Sequence, residues 1–160
     1  MTEIELLTDN DIKKRFMQMI TGAQNEILIC TYKFGLTEPK KTGIISRIYE
    51  LLAEAVKRNV DVSIVLHIPD NHAGPSGINT KAGQILAVAG VKVYTLKNNR
   101  TAHAKILCVD RQAVIIGSHN LTLASFTRNH ETSVYIKNDV FARRVAAQVL
   151  ELNKVQCRTR

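Results

Sequence analysis

A chain of 160 residues, 45% of them hydrophobic, is long enough for one compact domain with its own core and too short for two ordinary ones, so a single domain over residues 1–160 is expected. Its 22 Lys and Arg against 14 Asp and Glu leave a net charge of +8, which makes polyanionic partners plausible. Apolar runs such as EILIC and AVIIG fall far short of a membrane span and the N-terminus MTEIELLTDND lacks a basic and apolar leader, so a cytoplasmic protein without stable membrane insertion is expected.

IELLT reads as a short first strand. TDNDIKKRFMQMI offers Asn, Asp and Thr caps ahead of Ile12, Phe16, Met19 and Ile20 at helical spacing. EILICTYKF is too short for a helix and rich in strand formers, while GIISRIYELLAEAVKRN repeats Ile44, Ile48, Leu51, Leu52, Ala55 and Val56 on one face. VDVSIVLHI is a nearly continuous apolar run of the kind buried on both faces of a parallel sheet. It gives way to PDNHAGPSGIN, whose Pro, Gly and Asn predict an exposed loop from Pro69 to Asn79. TKAGQILAVAG then predicts a short helix ending at Gly90, and VKVYTL a strand after that glycine. Two strand-helix-strand crossovers result.

The rhythm then changes. AKILCVD and AVIIGS stand only a few residues apart across Asp110, Arg111 and Gln112, which suits an antiparallel hairpin. ETSVYIK predicts a further strand and NDVFARRVAAQVLELN a capped terminal helix. The expected class is α/β, with a mixed, largely parallel central sheet flanked by helices on both faces. Three widely spaced cysteines, Cys30, Cys108 and Cys157, suit neither a disulfide framework nor a zinc knuckle, and reduced, mostly buried thiols are expected.

Charge and chemistry converge on the hairpin. Between Asn71 and His130 seven basic residues stand against one acid, Asp110. His103 and Lys105, one residue apart at the start of a strand, project from the same face, so imidazole and ammonium share one small volume. If the next strand runs back beside the first, Ser118 and Asn120 return to that volume with a hydroxyl and a carboxamide. Lysine and asparagine donors suit phosphate oxygens, Gly117 allows close backbone approach, and the imidazole is left as nucleophile or acid and base. Singly, each residue has an ordinary explanation: His and Lys at a sheet end are usually just solvated, and Ser and Asn beside Gly usually make turns. The joint spacing is what sets them apart. A metal site from His103, Asp110 and His119 fits no familiar ligand spacing, and no metal or cofactor is expected.

These residues resemble the phospholipase D superfamily. Its signature, H-x-K-x4-D-x6-G-S-x-N, is matched at His103, Lys105, Asp110, Gly117, Ser118 and Asn120, a coincidence expected on the order of once in several hundred thousand chains. NHETSVYI is similar to the family's downstream N-x-E segment, and EILICTYKF, LLAEAVKRNVDVSIVL and LAVAGVKVY are similar to its upstream strands and helix, so the resemblance covers most of the chain.

The resemblance implies a metal-independent, two-step attack on a phosphodiester through a phosphohistidine, with a second histidine protonating the departing oxygen. His67, His72, His119 and His130 are followed two residues on by Pro69, Gly74, Leu121 and Thr132, so no second H-x-K is present. Small single-motif members form homodimers whose two motifs face each other, and the same is expected here. His103 would be nucleophile in one copy and general acid, then base, in the other. By the same resemblance Lys105 and Asn120 would hold the phosphate oxygens, Ser118 would support them, and Glu131 would accept a bond from the other ring nitrogen of His103. Asp110 is read as structural, in keeping with a place at the hairpin turn. His119 and His130 should point away from the site.

The motif fixes the bond class and leaves the molecule open. The basic excess favours nucleic acid, DNA first and RNA as a further candidate, bound through salt-sensitive phosphate contacts. Eight aromatics and no tryptophan favour backbone contacts over base stacking, hence little sequence preference. The expectation is a dimeric endonuclease. The alternatives are a phospholipid phosphodiesterase or phosphatidyl transferase, and a non-catalytic nucleic-acid-binding module.

Overall fold

A computed structural model of the chain describes residues 1–38, 42–68, 76–96 and 101–154. In chain order the elements are β1 (Glu3–Thr8), α1 (Asn10–Gly22), β2 (Glu26–Thr31), α2 (Ile44–Lys57), β3 (Asp61–His67), α3 (Ser76–Val88), β4 (Lys92–Leu96), β5 (Ile106–Val109), β6 (Ala113–Gly117), α4 (Leu123–Thr127), β7 (Thr132–Lys137) and α5 (Asp139–Lys154). The strands lie side by side in the order β1-β7-β6-β5-β2-β3-β4.

The sheet is mixed, as expected, but it is not largely parallel. Only β2–β3 and β3–β4 pair in parallel, while β1–β7, β2–β5, β5–β6 and β6–β7 are antiparallel. The reason lies in the connections. A parallel neighbour needs a long crossover, which α2 and α3 supply, whereas the three-residue connection after β5 allows only an antiparallel return.

The two faces of the sheet carry separate cores. Alternation along β2 sends Ile27 and Ile29 to one side, where they meet Ile12, Phe16 and Ile20 of α1, Ile48 and Leu52 of α2, Leu86 of α3 and Phe126 of α4. Leu28 and Cys30 go to the other side, against Ala142, Val145, Ala146 and Val149 of α5. Helices therefore cover both faces, and central β2 is apolar from Ile27 to Cys30 because neither face of that stretch meets water. Burial of each such Ile or Leu is worth roughly 1.5–3 kcal/mol. Asn138 caps α5, its Oδ1 accepting from Phe141 N–H at 2.9 Å.

Two local expectations change. The segment from Pro69 to Asn79 is not all loop: residues 69–75 lie outside the described ones, but α3 already begins at Ser76 and includes Asn79. The short α4, capped by Thr122 accepting from Ser125 N–H at 3.2 Å, was not expected. Gly90 does end its helical segment with φ at 86°, a left-handed value that glycine adopts freely. No helix among the described residues is long and apolar enough to cross a membrane.

Candidate functional site

The ladders bring distant parts of the sequence to one end of the sheet. Cys30 at the end of β2 pairs with Ile106 at the start of β5, Ile106 pairs with Ile116 near the end of β6, and Gly117 pairs with Ser133 near the start of β7. The C-terminal end of β3 lies alongside, with Leu66 beside Thr31. His67, His103, Lys105, Ser118, Asn120 and Glu131 all fall at that end, where the strands' carboxyl ends in open α/β sheets commonly bind ligands.

His103 and Lys105 precede β5 rather than opening it, yet they do share a face. Lys105 Nζ lies 3.2 Å from His103 Nδ1 and donates to the His103 carbonyl at 2.6 Å. The imidazole is exposed and the lysine half-buried. Burial pulls the Lys105 ammonium below the ordinary lysine value, with the charge of Glu131 and Cys30 opposing. The returning strand arrives as expected, and Gly117 N–H donates to the Lys105 carbonyl at 3.2 Å.

Gly117 is required there by space. A Cβ at this position would lie 2.4 Å from Ser133 Cα and 2.0 Å from its Oγ, so β6 and β7 approach as they do only because no side chain intervenes. Just beyond, Ser118 Oγ donates to Glu131 Oε2 and accepts from Thr132 N–H at 3.1 Å. Glu131 Oε1 takes Asn129 Nδ2 at 2.9 Å. Burial alone would raise the Glu131 carboxyl, but hydrogen bonds from Ser118, Asn129 and Ser125 outweigh it and hold the group below the usual carboxylate value. Asn120, half-buried, leaves Oδ1 without a hydrogen-bond partner among the described residues.

Glu131 departs from expectation. Its carboxylate is taken up by Ser118 and Asn129 and does not reach the His103 ring, whose one hydrogen-bonding neighbour among the described residues is Lys105. Its own N–H donates to Asp9 Oδ1 at 3.2 Å.

Asp110 is structural, in a more specific way than a turn residue. Its carboxylate accepts from Gln24, Asn25 and Glu26 N–H at 2.9, 2.7 and 2.8 Å, fixing the entry to β2. The hairpin turn itself rests on Asp110 and Arg111, with φ of 51° and 52°, a primed turn closed by Gln112 N–H to Val109 O at 3.0 Å. His119 turns inward, its Nδ1 2.7 Å from Ser133 Oγ, while His130 is exposed beside Asp9. Alternation had placed both off the site.

Two further residues stand at this end, Tyr32, which the sequence does not mark, and His67, which it marks only as a histidine outside an H-x-K. Tyr32, just past β2, has its ring centroid 4.9 Å from that of His103 and 5.5 Å from Lys105 Nζ. It also stacks on buried His67 at 5.4 Å and 23°. The available signal was position alone: His67 closes the apolar strand β3 and Tyr32 follows β2.

Comparison with known proteins agrees with this geometry. The family model described as cardiolipin synthase, PLD-like domain, matches residues 16–152. A cardiolipin synthase of Clostridium perfringens is 28% identical over 148 residues, which cover 92% of this chain but 29% of the relative, so the chain spans under a third of the curated relatives it matches. Among solved structures, Nuc from Salmonella typhimurium, a phospholipase D family member, superposes with a TM-score of 0.79 at 26% identity, covering 99% of this chain and 97% of that one. NucT from Helicobacter pylori has the same fold, with a TM-score of 0.76 at 14% identity over 97% of this chain and 98% of that one.

Proposed function

The chain belongs to the phospholipase D-like family, and from that premise we propose that it cleaves phosphodiester bonds through His103, at a site completed by a second copy of the chain. The observation that carries this reading is the pairing of His103 with Lys105, 3.2 Å apart at the sheet end where Ser118 and Glu131 also meet. In the first step an imidazole nitrogen of His103 bonds to phosphorus, the bond from phosphorus to the leaving oxygen breaks, and the second copy's His103 protonates that oxygen. In the second step that histidine takes a proton from water, whose oxygen displaces His103 from phosphorus. Lys105 and Asn120 hold the non-bridging oxygens as charge builds on them.

Lysine has donors only, so in the free protein Nδ1 of His103 accepts from Lys105. Attack through Nε2 needs the proton on Nδ1 instead. A bound phosphate resolves the conflict by drawing the Lys105 ammonium onto its own oxygens, which frees Nδ1 to take up a proton from solvent as Nε2 gives its own proton to solvent, leaving a neutral ring with its lone pair on Nε2.

Nucleic acid is the proposed substrate, in keeping with the net charge of +8. A lipid reading has its own support in the family model and in the cardiolipin synthases among the relatives, in which an alcohol would replace water as acceptor. The test is cleavage of single-stranded and plasmid DNA in excess EDTA, with His103→Ala purified in parallel. The expected result is cutting by wild type and none by the variant. If neither cuts DNA while wild type converts phosphatidylglycerol in vesicles, the lipid reading replaces the nuclease; if no phosphodiester is turned over, the chain is a binding module.

A further inference from the structure

His103 must present its ring edge to phosphorus, and Glu131 is occupied elsewhere, so something else has to fix the imidazole plane. The neighbouring groups are aromatic. The Tyr32 ring lies against His103 at a centroid distance of 4.9 Å and an interplanar angle of 52°, and it also stacks on His67 at 5.4 Å and 23°.

That support is itself rigid. His67 is 5% exposed, and its Nδ1 accepts from Ala102 N–H at 3.3 Å, one residue before His103. The accepted bond requires a lone pair on Nδ1, so this ring is neutral with its proton on Nε2. Asn79, 0% exposed, then locks the two backbones together. Its Nδ2 donates to Tyr32 O at 2.8 Å and to His67 O at 2.7 Å, and its Oδ1 accepts from Phe34 N–H at 2.9 Å. One buried carboxamide from α3 thus ties the ends of β2 and β3 at the point where both aromatic rings leave the sheet. A half-satisfied network would be costly here, and this one is complete.

We infer that Tyr32 is a positioning residue for His103: held on His67 by the Asn79 tie, its ring sets the plane of the imidazole that attacks phosphorus. The inference rests on the phosphodiesterase reading for its kinetic consequence, and on the ring contact alone for its structural one. Ring packing is the operative property, because no hydrogen bond joins the tyrosine hydroxyl to His103 among the described residues.

The test uses bis(p-nitrophenyl) phosphate, a small diester that favours neither nucleic acid nor lipid, together with the proton chemical shift of the His103 ring carbon between its nitrogens. That signal is assigned by its loss in His103→Ala. Tyr32→Phe keeps the ring and is expected to stay within about twofold of wild type in kcat, with the upfield ring-current shift retained. Tyr32→Leu is expected to lose that shift and to drop kcat by about tenfold or more, with KM changed less than about twofold. If Tyr32→Leu does not give a folded spectrum, Tyr32→Met fills similar volume without a ring current and carries the same expectation. A leucine or methionine variant that keeps wild-type kcat overturns the inference, and so does an unchanged His103 shift. A wild type that does not turn over the diester defeats the phosphodiesterase reading instead, while the chemical shift still decides whether Tyr32 governs the ring.

Discussion

Three backbone N–H groups converge on the single carboxylate of Asp110, which makes this motif residue a brace and separates it from the chemistry. Hydrogen bonds to a charged acceptor contribute about 1.5–3 kcal/mol each where burial is complete, but the groups here are mostly exposed and water can replace part of the loss. Asp110→Ala is therefore expected to cost about 2 kcal/mol in urea unfolding, while kcat of the folded protein stays near wild type. A collapse of kcat without loss of stability would return Asp110 to the active site. Acid sensitivity is also set residue by residue. Burial lowers the His119 pKa below 6.5, with Glu131 and Asp9 opposing, so the unfolded chain takes up a proton there that the folded one resists. Stability from this group is complete above that value and is lost as pH falls below it. Glu131 acts lower, since a carboxyl held below 4.5 stabilises above that value and loses its effect as pH falls through the lowered pKa. Unfolding free energy should thus decline in two stages on acidification. His119→Leu should flatten the first stage, between about pH 7 and 5.5, and leave the second intact; an unchanged slope in that window would contradict the assignment.

Among elements, what the sequence made legible follows from how strong each local signal is. The amphipathic repeat of Ile44, Ile48, Leu51, Leu52 and Ala55 announces α2 because it is long enough to show a period, and the unbroken apolar run before His67 announces β3 because a strand buried on both faces needs no polar positions. Helix α4 has five residues, too few for one, and depends on a single Thr122 cap. The start of α3 hides behind Gly77 and Asn79, residues that ordinarily mark loops; tertiary bonds to Tyr32, Phe34 and His67 override that preference. The six motif positions were legible through their spacing, whereas Tyr32 and His67 become neighbours of His103 only once β2, β3 and β5 are aligned. Gly117 lies between these cases: its place in the motif was readable, its reason was not. The reason is the contact of β6 with β7, where an added methyl would lie 2.4 Å from the backbone of Ser133. Gly117→Ala should therefore push the strands apart, cost about 3 kcal/mol or more and misplace Ser118 and Asn120, abolishing turnover. Ser133→Gly should not rescue it, because the nearest obstacle that remains is a Cα. Restored turnover in the double variant would show that only the serine side chain was in the way.

At the scale of the whole molecule, the sequence contains one H-x-K, while the proposed reaction needs one imidazole to attack phosphorus and another to protonate the leaving oxygen. In that proposal a second copy related by a two-fold axis would supply the other imidazole from the same residue, which an isologous contact does without any further sequence. This has a quantitative consequence in mixtures. When wild-type and His103→Ala chains are refolded together at random, a mixed pair holds a single imidazole and lacks either the nucleophile or the acid. Activity should then follow the square of the wild-type fraction, about a quarter of the full value in an equal mixture, whereas independently active chains would give about half. Sedimentation of the same samples shows whether pairs have formed. A linear dependence in a sample that sediments as a dimer would mean that each chain carries a complete site, and the leaving oxygen would then have to draw its proton from Lys105 or from water rather than from a second His103.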